Sequence, residues 1–285
     1  MLKNNICKIC KSVSIRDTRS ENILALECSP IGQHIFRCIS CNFRFMEPSL
    51  NSSEIQAIYG ESYFEDTTRN FSYSEQMIEE LRSYEITANR FHKLLKSGNI
   101  LDIGCATGEF LLAAKKAGFK TTGIDVSEYA VEKAKEKGLE ASVTKFNELS
   151  KLNTLFDGIH ISHVLEHLDD PVYAISEIKK HLKVGGILYI EVPNQFNSFL
   201  DRLSLINKSP KTFNVFSIHH RCFFSYRSIK SLLESNDFEI VSISTYRPEK
   251  RVFKFRRKVV LNSILYLSNF FKAGDIISIW AKVKD

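Results

Sequence analysis

The chain has 285 residues, of which 44% are hydrophobic and 25% are charged, proportions typical of a globular protein with one full α/β domain and a small accessory. Residues 259–271 are too short and too polar a stretch to span a bilayer, and residues 1–5 lack an apolar signal core, so we expect a cytoplasmic protein. The net charge of +6 suits an anionic substrate or an anionic membrane surface and proves neither.

Two cysteine pairs occur near the start of the chain. Cys7 and Cys10 form one Cys-x-x-Cys unit, and Cys38 and Cys41 form a second after 27 intervening residues. Two such units can complete a tetrahedral zinc site, and four thiolates leave no open position for catalysis. We therefore predict a zinc-ribbon domain over residues 1–48 with a structural zinc ion. A redox role for the two pairs is the alternative.

Residues 49–97 are predicted to form a helical cap or linker. Apolar side chains recur near helical spacing in their second half, which predicts a long amphipathic helix over residues 74–97. Those side chains are Ile78, Leu81, Ile86, Phe91, Leu94 and Leu95.

The most informative segment runs from Asn99 to Leu111. An apolar strand ends in a turn of small residues, Gly104 to Gly108, and a helix-like segment follows. The turn lacks the second and third glycines of a dinucleotide fingerprint, and Asp102 precedes it in the strand. The pattern resembles motif I of the S-adenosylmethionine (SAM) methyltransferases of the Rossmann-like class.

The order of the later elements fits the same family up to residue 194. A second strand ends in the acid Asp125, and Ser127 can cap the helix that follows. Residues 171–182 are predicted to form a helix that the glycines at 185 and 186 stop, and a strand over residues 187–193 comes next. Residues 238–245 and 275–282 are predicted to be the paired last strands.

The resemblance implies an α/β fold: a Rossmann-like SAM methyltransferase sheet with helices on both faces, over residues 98–285. It also implies that Asp125, at the tip of the second strand, accepts hydrogen bonds from the ribose of SAM. We expect Phe146 to contact adenine. The predicted cofactor-binding residues are Asp102, Gly104, Cys105, Ala106, Gly108, Asp125, Val126, Phe146 and Ser162.

A second resemblance concerns the region that follows the cysteine pairs. The continuation Phe43-Arg-Phe-Met-Glu-Pro48, with Tyr59 and then Tyr63 and Phe64, resembles zinc-ribbon methyltransferases of sugar and surface-polysaccharide pathways. In that group a helix placed like residues 74–97 covers the cofactor. This resemblance implies a sugar acceptor, either a nucleotide-sugar or a surface glycan.

Titratable residues cluster directly after a predicted strand over residues 156–162. His163, Glu166 and His167 follow this strand, and a helical turn would bring the two histidines to one face. One histidine could act as general base, or the three could hold a divalent metal that polarises the acceptor oxygen. The ubiquinone-pathway O-methyltransferases resemble this segment and depend on metal, but they carry a carboxylate where this chain has His163. His220 is a fourth candidate on the acceptor side.

Two insertions are predicted within the methyltransferase domain. Residues 195–222 are long for a connection and aromatic-rich, which is typical of a lid. The second insertion, residues 247–272, contains seven basic residues and one acid over residues 247–258, followed by an apolar-rich helix predicted over residues 259–271. That combination suits either a membrane-surface element or a helix packed on the core with a solvated basic face.

These observations together predict a SAM-dependent methyltransferase that acts on a sugar through a histidine general base. A small-molecule O-methyltransferase of quinone or secondary metabolism, an RNA methyltransferase and a non-enzymatic interaction module are the alternatives. We expect no nucleic-acid partner, and we expect the cytoplasmic protein to contact the inner membrane surface if the basic insertion binds lipid. The sequence leaves the oligomeric state open.

Overall fold

The computed structural model describes residues 6–17, 34–47, 73–198, 220–246 and 271–284. Most of the predicted lid (195–222), nearly all of the basic insertion (247–272) and the aromatics at 59–64 lie outside these residues. The chain divides into two compact units. The first comprises Met1–Ser49, His163–Ile175 and Ile190–Ala281, and the second comprises Leu50–Ser162, Ser176–Tyr189 and Lys282–Asp285.

The described strands and helices alternate over most of the chain. The strands are β1 (Ile15–Asp17), β2 (His34–Cys38), β3 (Arg44–Glu47), β4 (Asn99–Ile103), β5 (Lys120–Asp125), β6 (Ala141–Val143), β7 (Phe156–Ser162), β8 (Leu182–Pro193), β9 (Cys222–Phe223), β10 (Phe238–Tyr246) and β11 (Ile276–Val283). The α-helices are α1 (Tyr73–Leu95), α2 (Glu109–Lys116), α3 (Glu128–Glu136), α4 (Pro171–Lys180) and α5 (Tyr226–Glu234), and two 3-10 helices span Phe146–Lys151 and Leu165–His167.

The large sheet has seven strands in the order β10-β11-β8-β7-β4-β5-β6. Strand β4 pairs in parallel with β5 and with β7, and β5 pairs in parallel with β6. Buried side chains fill β4 and most of β7, as expected for parallel strands covered on both sides. The predicted Rossmann-like α/β fold is confirmed, and the last two strands are neighbours in this sheet, as predicted.

Local sequence accounts for the helix starts of the second unit. Gly108 precedes α2 with φ 91°, a left-handed conformation that favours glycine. The Ser127 hydroxyl accepts a hydrogen bond from the Ala130 N–H at 3.2 Å and caps α3. Apolar residues between the two helices form one buried cluster: Cys105, Leu111, Val131, Ala134, Leu139 and Ala141.

The first unit contains a second, smaller sheet. Its four strands lie in the order β1-β2-β3-β9, and all three pairs are antiparallel. Three of its strands come from the cysteine region, while β9 comes from residues 222–223. The N-terminal ribbon therefore shares its sheet with a strand from much later in the chain.

One predicted boundary is wrong. Helix α4 ends at Lys180, and β8 begins at Leu182, so Gly185 and Gly186 lie inside a strand and do not stop a helix. Gly185 has φ 74°, so glycine here permits a local distortion of the strand. No helix among the described residues is long and apolar enough to cross a membrane.

Candidate active site

The turn after β4 is tied to the end of β5. The N–H groups of Gly104 and Cys105 both donate to the carbonyl of Ile124, at 2.8 and 3.0 Å. Gly104 has φ 77° and Gly108 has φ 91°, so both predicted glycines occupy positions where a side chain would strain the backbone. The turn is thus a fixed feature of the second unit.

Asp125 ends β5 and is 9% exposed. Its carboxylate accepts the N–H of Ala106 at 3.0 Å through one oxygen and the N–H of Ser127 at 2.9 Å through the other. Burial raises the pKa of this carboxyl in spite of those two bonds. Each oxygen has a further lone pair, so the carboxylate is oriented by the backbone and retains capacity to accept a ribose hydroxyl.

Asp102 contacts a residue that sequence reasoning missed. Its carboxylate lies 2.7 Å from Nδ1 of His160, and both side chains are buried. Asp102 and His160 are register partners on β4 and β7. The His160 ring stacks on Phe110 with centroids 3.7 Å apart and on Tyr189 at 5.3 Å. Asp102 therefore belongs to a buried pair beneath the turn.

The remaining predicted cofactor residues differ in exposure. The Cys105 side chain is buried in the core, where burial raises the pKa of its thiol. Val126 is half exposed immediately after Asp125. Phe146 is partly buried at the start of a 3-10 helix, and Ser162 is the last residue of β7. The side chains of Val126 and Phe146 are thus more accessible than that of Cys105.

His163, in the first unit, occupies a strained backbone position with φ 54°. Its N–H donates to the carbonyl of Glu191 at 3.0 Å. Its ring nitrogens lie 3.3 Å from the Glu166 carboxylate and 3.4 Å from that of Glu191. The His163 side chain is 48% exposed, and the two carboxylates outweigh the desolvation of the ring and raise the pKa of His163 to about 10. The two carboxylates therefore favour the protonated ring and disfavour His163 as a general base.

Glu166, His167 and His220 form a second group in the same unit. One ligand atom from each lies within 4.8 Å of the others. Glu166 is 1% exposed, and among the described residues its Oε2 atom has no hydrogen-bond partner. Burial would raise the pKa of Glu166, but the hydrogen bond with His163 and the neighbouring histidines lower it. A buried carboxylate with an unsatisfied oxygen beside two imidazoles is a donor set suited to a divalent cation.

Gln195 fixes the orientation of one of these imidazoles. Its Oε1 atom lies 2.7 Å from Nδ1 of His220. A hydrogen bond donated by Nδ1 leaves Nε2 as the acceptor or ligand atom. The rings of His167 and His220 meet edge to face, with centroids 4.8 Å apart. Sequence reasoning missed Glu191 and Gln195, which are distant in the chain from the residues they contact.

The four predicted zinc ligands lie together. One sulfur atom from each of Cys7, Cys10, Cys38 and Cys41 falls within 4.8 Å of the others. The Cys7–Cys41 and Cys10–Cys38 sulfur distances are 3.7 and 3.5 Å. A tetrahedral zinc ion with bonds of about 2.3 Å requires sulfur atoms about 3.8 Å apart. The cluster therefore fits a four-thiolate zinc site.

The two cysteine pairs adopt the same turn. The N–H of Lys11 donates to the carbonyl of Cys7 at 3.0 Å, and that of Asn42 donates to the carbonyl of Cys38 at 2.9 Å. Lys11 and Asn42 have φ 59° and 61°, the left-handed conformation that glycine adopts most easily. The hydrogen bond with Cys41 lowers the pKa of the Cys7 thiol, which favours the thiolate form that zinc binds.

Comparisons with known proteins agree with this fold. The chain is 23% identical over 205 residues to the mitochondrial ubiquinone biosynthesis O-methyltransferase of Dictyostelium discoideum, covering 64% of this chain and 63% of that protein. It is 28% identical over 187 residues to the ubiquinone biosynthesis O-methyltransferase of Coxiella burnetii, covering 62% of this chain and 78% of that protein.

Among solved structures, magnesium protoporphyrin IX methyltransferase from Synechocystis PCC 6803 with bound SAM matches with a TM-score of 0.54 and 15% identity. The match covers 83% of this chain and 99% of that chain, and at this identity it shows the fold alone. Residues 73–243, more than half of the chain, match the model of a family described as a methyltransferase domain. The chain therefore belongs to this methyltransferase-domain family.

Proposed function

We propose that this protein transfers a methyl group from SAM to a hydroxyl oxygen of a small molecule. The observation that carries the acceptor assignment is the buried Glu166 carboxylate, which lies close to His167 and His220 and has one oxygen without a hydrogen-bond partner among the described residues. The cofactor assignment is supported by the family and by the conformation of the turn from Gly104 to Gly108 with Asp125.

On the cofactor side, Asp125 would accept hydrogen bonds from the ribose, because its two backbone bonds hold the carboxylate in one orientation. SAM supplies an electrophilic methyl group on a positively charged sulfur. The pair of Asp102 and His160 would act indirectly, by holding the strand that leads into the turn.

On the acceptor side, the protein must take or stabilise the hydroxyl proton as the new carbon–oxygen bond forms. The carboxylates of Glu166 and Glu191 favour the protonated form of His163, so His167 is the better candidate for the base. A divalent cation held by Glu166, His167 and His220 is the second means, since it would lower the pKa of a hydroxyl bound to it. The unsatisfied Glu166 oxygen favours this second means.

The acceptor class rests on two different observations. Relatives named ubiquinone biosynthesis O-methyltransferases favour a small hydroxylated ring compound. The four-cysteine ribbon, followed by the pattern Phe43 to Pro48, favours the sugar acceptor that its resemblance implies. We place the small-molecule hydroxyl first, because the relatives are named O-methyltransferases and because the segment from His163 to His167 resembles the ubiquinone-pathway enzymes. We keep a nucleotide-sugar as the second candidate.

The four cysteines are proposed to bind one structural zinc ion. Their sulfur distances fit a tetrahedron, and four thiolates fill every position of it. A small ribbon with short strands gains folding free energy from such a site.

Transfer of a labelled methyl group from SAM to a catechol, a simple phenol and a nucleotide-sugar tests this function. We expect the label on a catechol oxygen, with activity lost on treatment with EDTA and restored by Mg²⁺. Glu166→Gln should remove activity, while Glu136→Gln, which changes an exposed carboxylate on α3, should not. Label on the nucleotide-sugar alone would establish the second candidate, and label on none of the three would contradict the proposal.

A further inference from the structure

A short segment of the first unit connects the cysteine ribbon to the acceptor residues. The N–H of Arg221 donates to the carbonyl of Glu166 at 2.7 Å, and its own carbonyl accepts the N–H of Met46 at 3.0 Å. The thiol of Cys222 donates to the carbonyl of Leu168 at 3.2 Å. The segment thus bonds to the turn over residues 163–169, here named the acceptor turn, and to strand β3 of the ribbon.

The side chain of Arg221 adds a second connection. It is 3% exposed, and its Nε donates to the Asp169 carboxylate at 2.9 Å. The carbonyl of Asp169 accepts a hydrogen bond from Nζ of Lys8 at 3.1 Å. Lys8 lies between Cys7 and Cys10, so the segment that carries the first cysteine pair contacts the same acceptor turn through the Lys8 side chain.

These contacts surround the residues proposed to handle the acceptor. Glu166 and His167 lie on the acceptor turn, and His220 immediately precedes Arg221. Their relative positions therefore depend on how the segment at Arg221 is held between the turn and the ribbon. Asp125 and the turn at Gly104 belong to the other unit and take no part in these bonds.

We propose that Arg221, Asp169 and Lys8 are positioning residues, through which the cysteine ribbon fixes the geometry of Glu166, His167 and His220. The ribbon is then part of the support of the acceptor site, in addition to any contribution it makes to stability. That these residues handle the acceptor depends on the function proposed above. The geometric claim, that these contacts set the positions of the two imidazoles, can be measured without an acceptor.

The physical basis is the sensitivity of a catalytic group to small displacements. Catalytic groups need to be held within about 0.5 Å, and a displacement of about 1 Å can cost about 100-fold in rate. The Arg221 guanidinium is 3% exposed and the Asp169 carboxylate is 30% exposed, so removal of the guanidinium leaves a partly buried carboxylate without this partner. Loss of the Arg221 guanidinium should therefore move the acceptor turn.

Nuclear magnetic resonance of protein labelled with ¹⁵N-histidine tests the geometry. The His167 and His220 signals, assigned from single glutamine variants, should both shift in Arg221→Met and in Lys8→Met. Arg221→Lys should restore them in part, because it returns a positive charge beside Asp169. Lys11→Met is the matched control, because the exposed Lys11 amine donates to the Lys8 carbonyl within the first Cys-x-x-Cys turn and not to the acceptor turn. His160, in the other unit, should keep its signal in all variants.

Kinetics and calorimetry on the same variants complete the test. With whichever hydroxyl compound the wild type methylates, kcat should fall at least tenfold in Arg221→Met, while SAM affinity stays within twofold. Unchanged His167 and His220 signals in a folded Arg221→Met variant would overturn the proposal. If that variant does not fold, Lys8→Met decides by the same criterion. Shifted signals in a protein that methylates no hydroxyl would support the positioning and refute only the proposed function.

Discussion

Asp125→Ala should weaken SAM binding and destabilise the second unit together. The carboxylate accepts two backbone N–H groups, from Ala106 at 3.0 Å and from Ser127 at 2.9 Å. Hydrogen bonds to a charged group contribute about 1.5–3 kcal/mol each, and removal of a buried charge offsets part of that sum. We expect a net loss of about 2 kcal/mol, or roughly 4–8 °C in melting temperature. Loss of the ribose acceptor should weaken SAM binding at least tenfold, about 1.4 kcal/mol.

Calorimetric titration with SAM and thermal unfolding measure the two effects separately. Ser127→Ala is the matched control, because it removes the cap of α3 at Ala130 and leaves the Asp125 carboxylate in place. The control should lose about 1 kcal/mol of stability and keep its SAM affinity within twofold. If Asp125→Ala melts earlier but binds SAM as tightly as the wild type, the carboxylate is a structural group and the assignment to the ribose is refuted.

Three further predictions concern zinc, catalysis and the basic insertion. Purified protein should contain about one zinc ion per chain, with sulfur ligands at about 2.3 Å by X-ray absorption. The Cys38→Ser variant should lose this zinc, whereas the control variant Ser12→Ala should retain it. The His167→Ala variant should retain SAM binding, but its rate of methyl transfer should fall by about 100-fold. The control variant at the exposed His92, His92→Ala, should stay active. Near-normal rates in both variants would exclude His167 as the base. The protein should sediment with vesicles of anionic lipid at low salt, and neutralisation of the basic residues 256–258 should abolish this sedimentation. If the wild-type protein does not sediment with such vesicles, the membrane-surface role of the segment is refuted and the alternative, packing on the core, is favoured.

The fold could be predicted from the sequence because its signals are local. Asp102, the turn at Gly104 and the acid at Asp125 follow one another at the ends of two strands, and the structure places those strands side by side. The amphipathic helix was predicted within two residues of α1 at each end. The apolar spacing does not predict which side of this helix is buried, because Ile86 is 63% exposed while Phe91 is fully buried. Near-helical spacing of apolar residues does not by itself decide which of them face a neighbour.

The candidate site was predicted only where its residues are close in sequence. The strand that ends at Ser162 pointed to His163, Glu166 and His167, and the Cys-x-x-Cys spacing pointed to four sulfurs that do lie together. His163 was expected on a helical turn, but its N–H bonds to Glu191 in β8, and this holds it at positive φ outside the 3-10 helix. Such a contact is long-range, and a single sequence carries no record of it.

His160 shows what signal could have been used. A titratable residue inside an apolar strand needs a hydrogen-bond partner, since an unsatisfied buried polar group is costly. Asp102 has the same need on β4, which pairs with β7 in the sheet. Two buried polar residues on neighbouring strands are expected to form a hydrogen bond with each other, and Asp102 and His160 do so at 2.7 Å.

The contacts of the ribbon alter what loss of its metal should do. From the sequence, four thiolates with no open position predict a structural zinc ion, whose loss should lower the melting temperature more than it changes the turnover of the surviving enzyme. In the structure, β3 pairs with β9, and the Ser225 hydroxyl donates to the carbonyl of Cys41 at 2.8 Å in a buried position. Cys41 is one of the four sulfur residues, and β9 begins directly after Arg221. If Arg221 holds the acceptor turn as proposed, loss of the metal from the ribbon should lower kcat as well as the melting temperature. The affinity for SAM should remain unchanged.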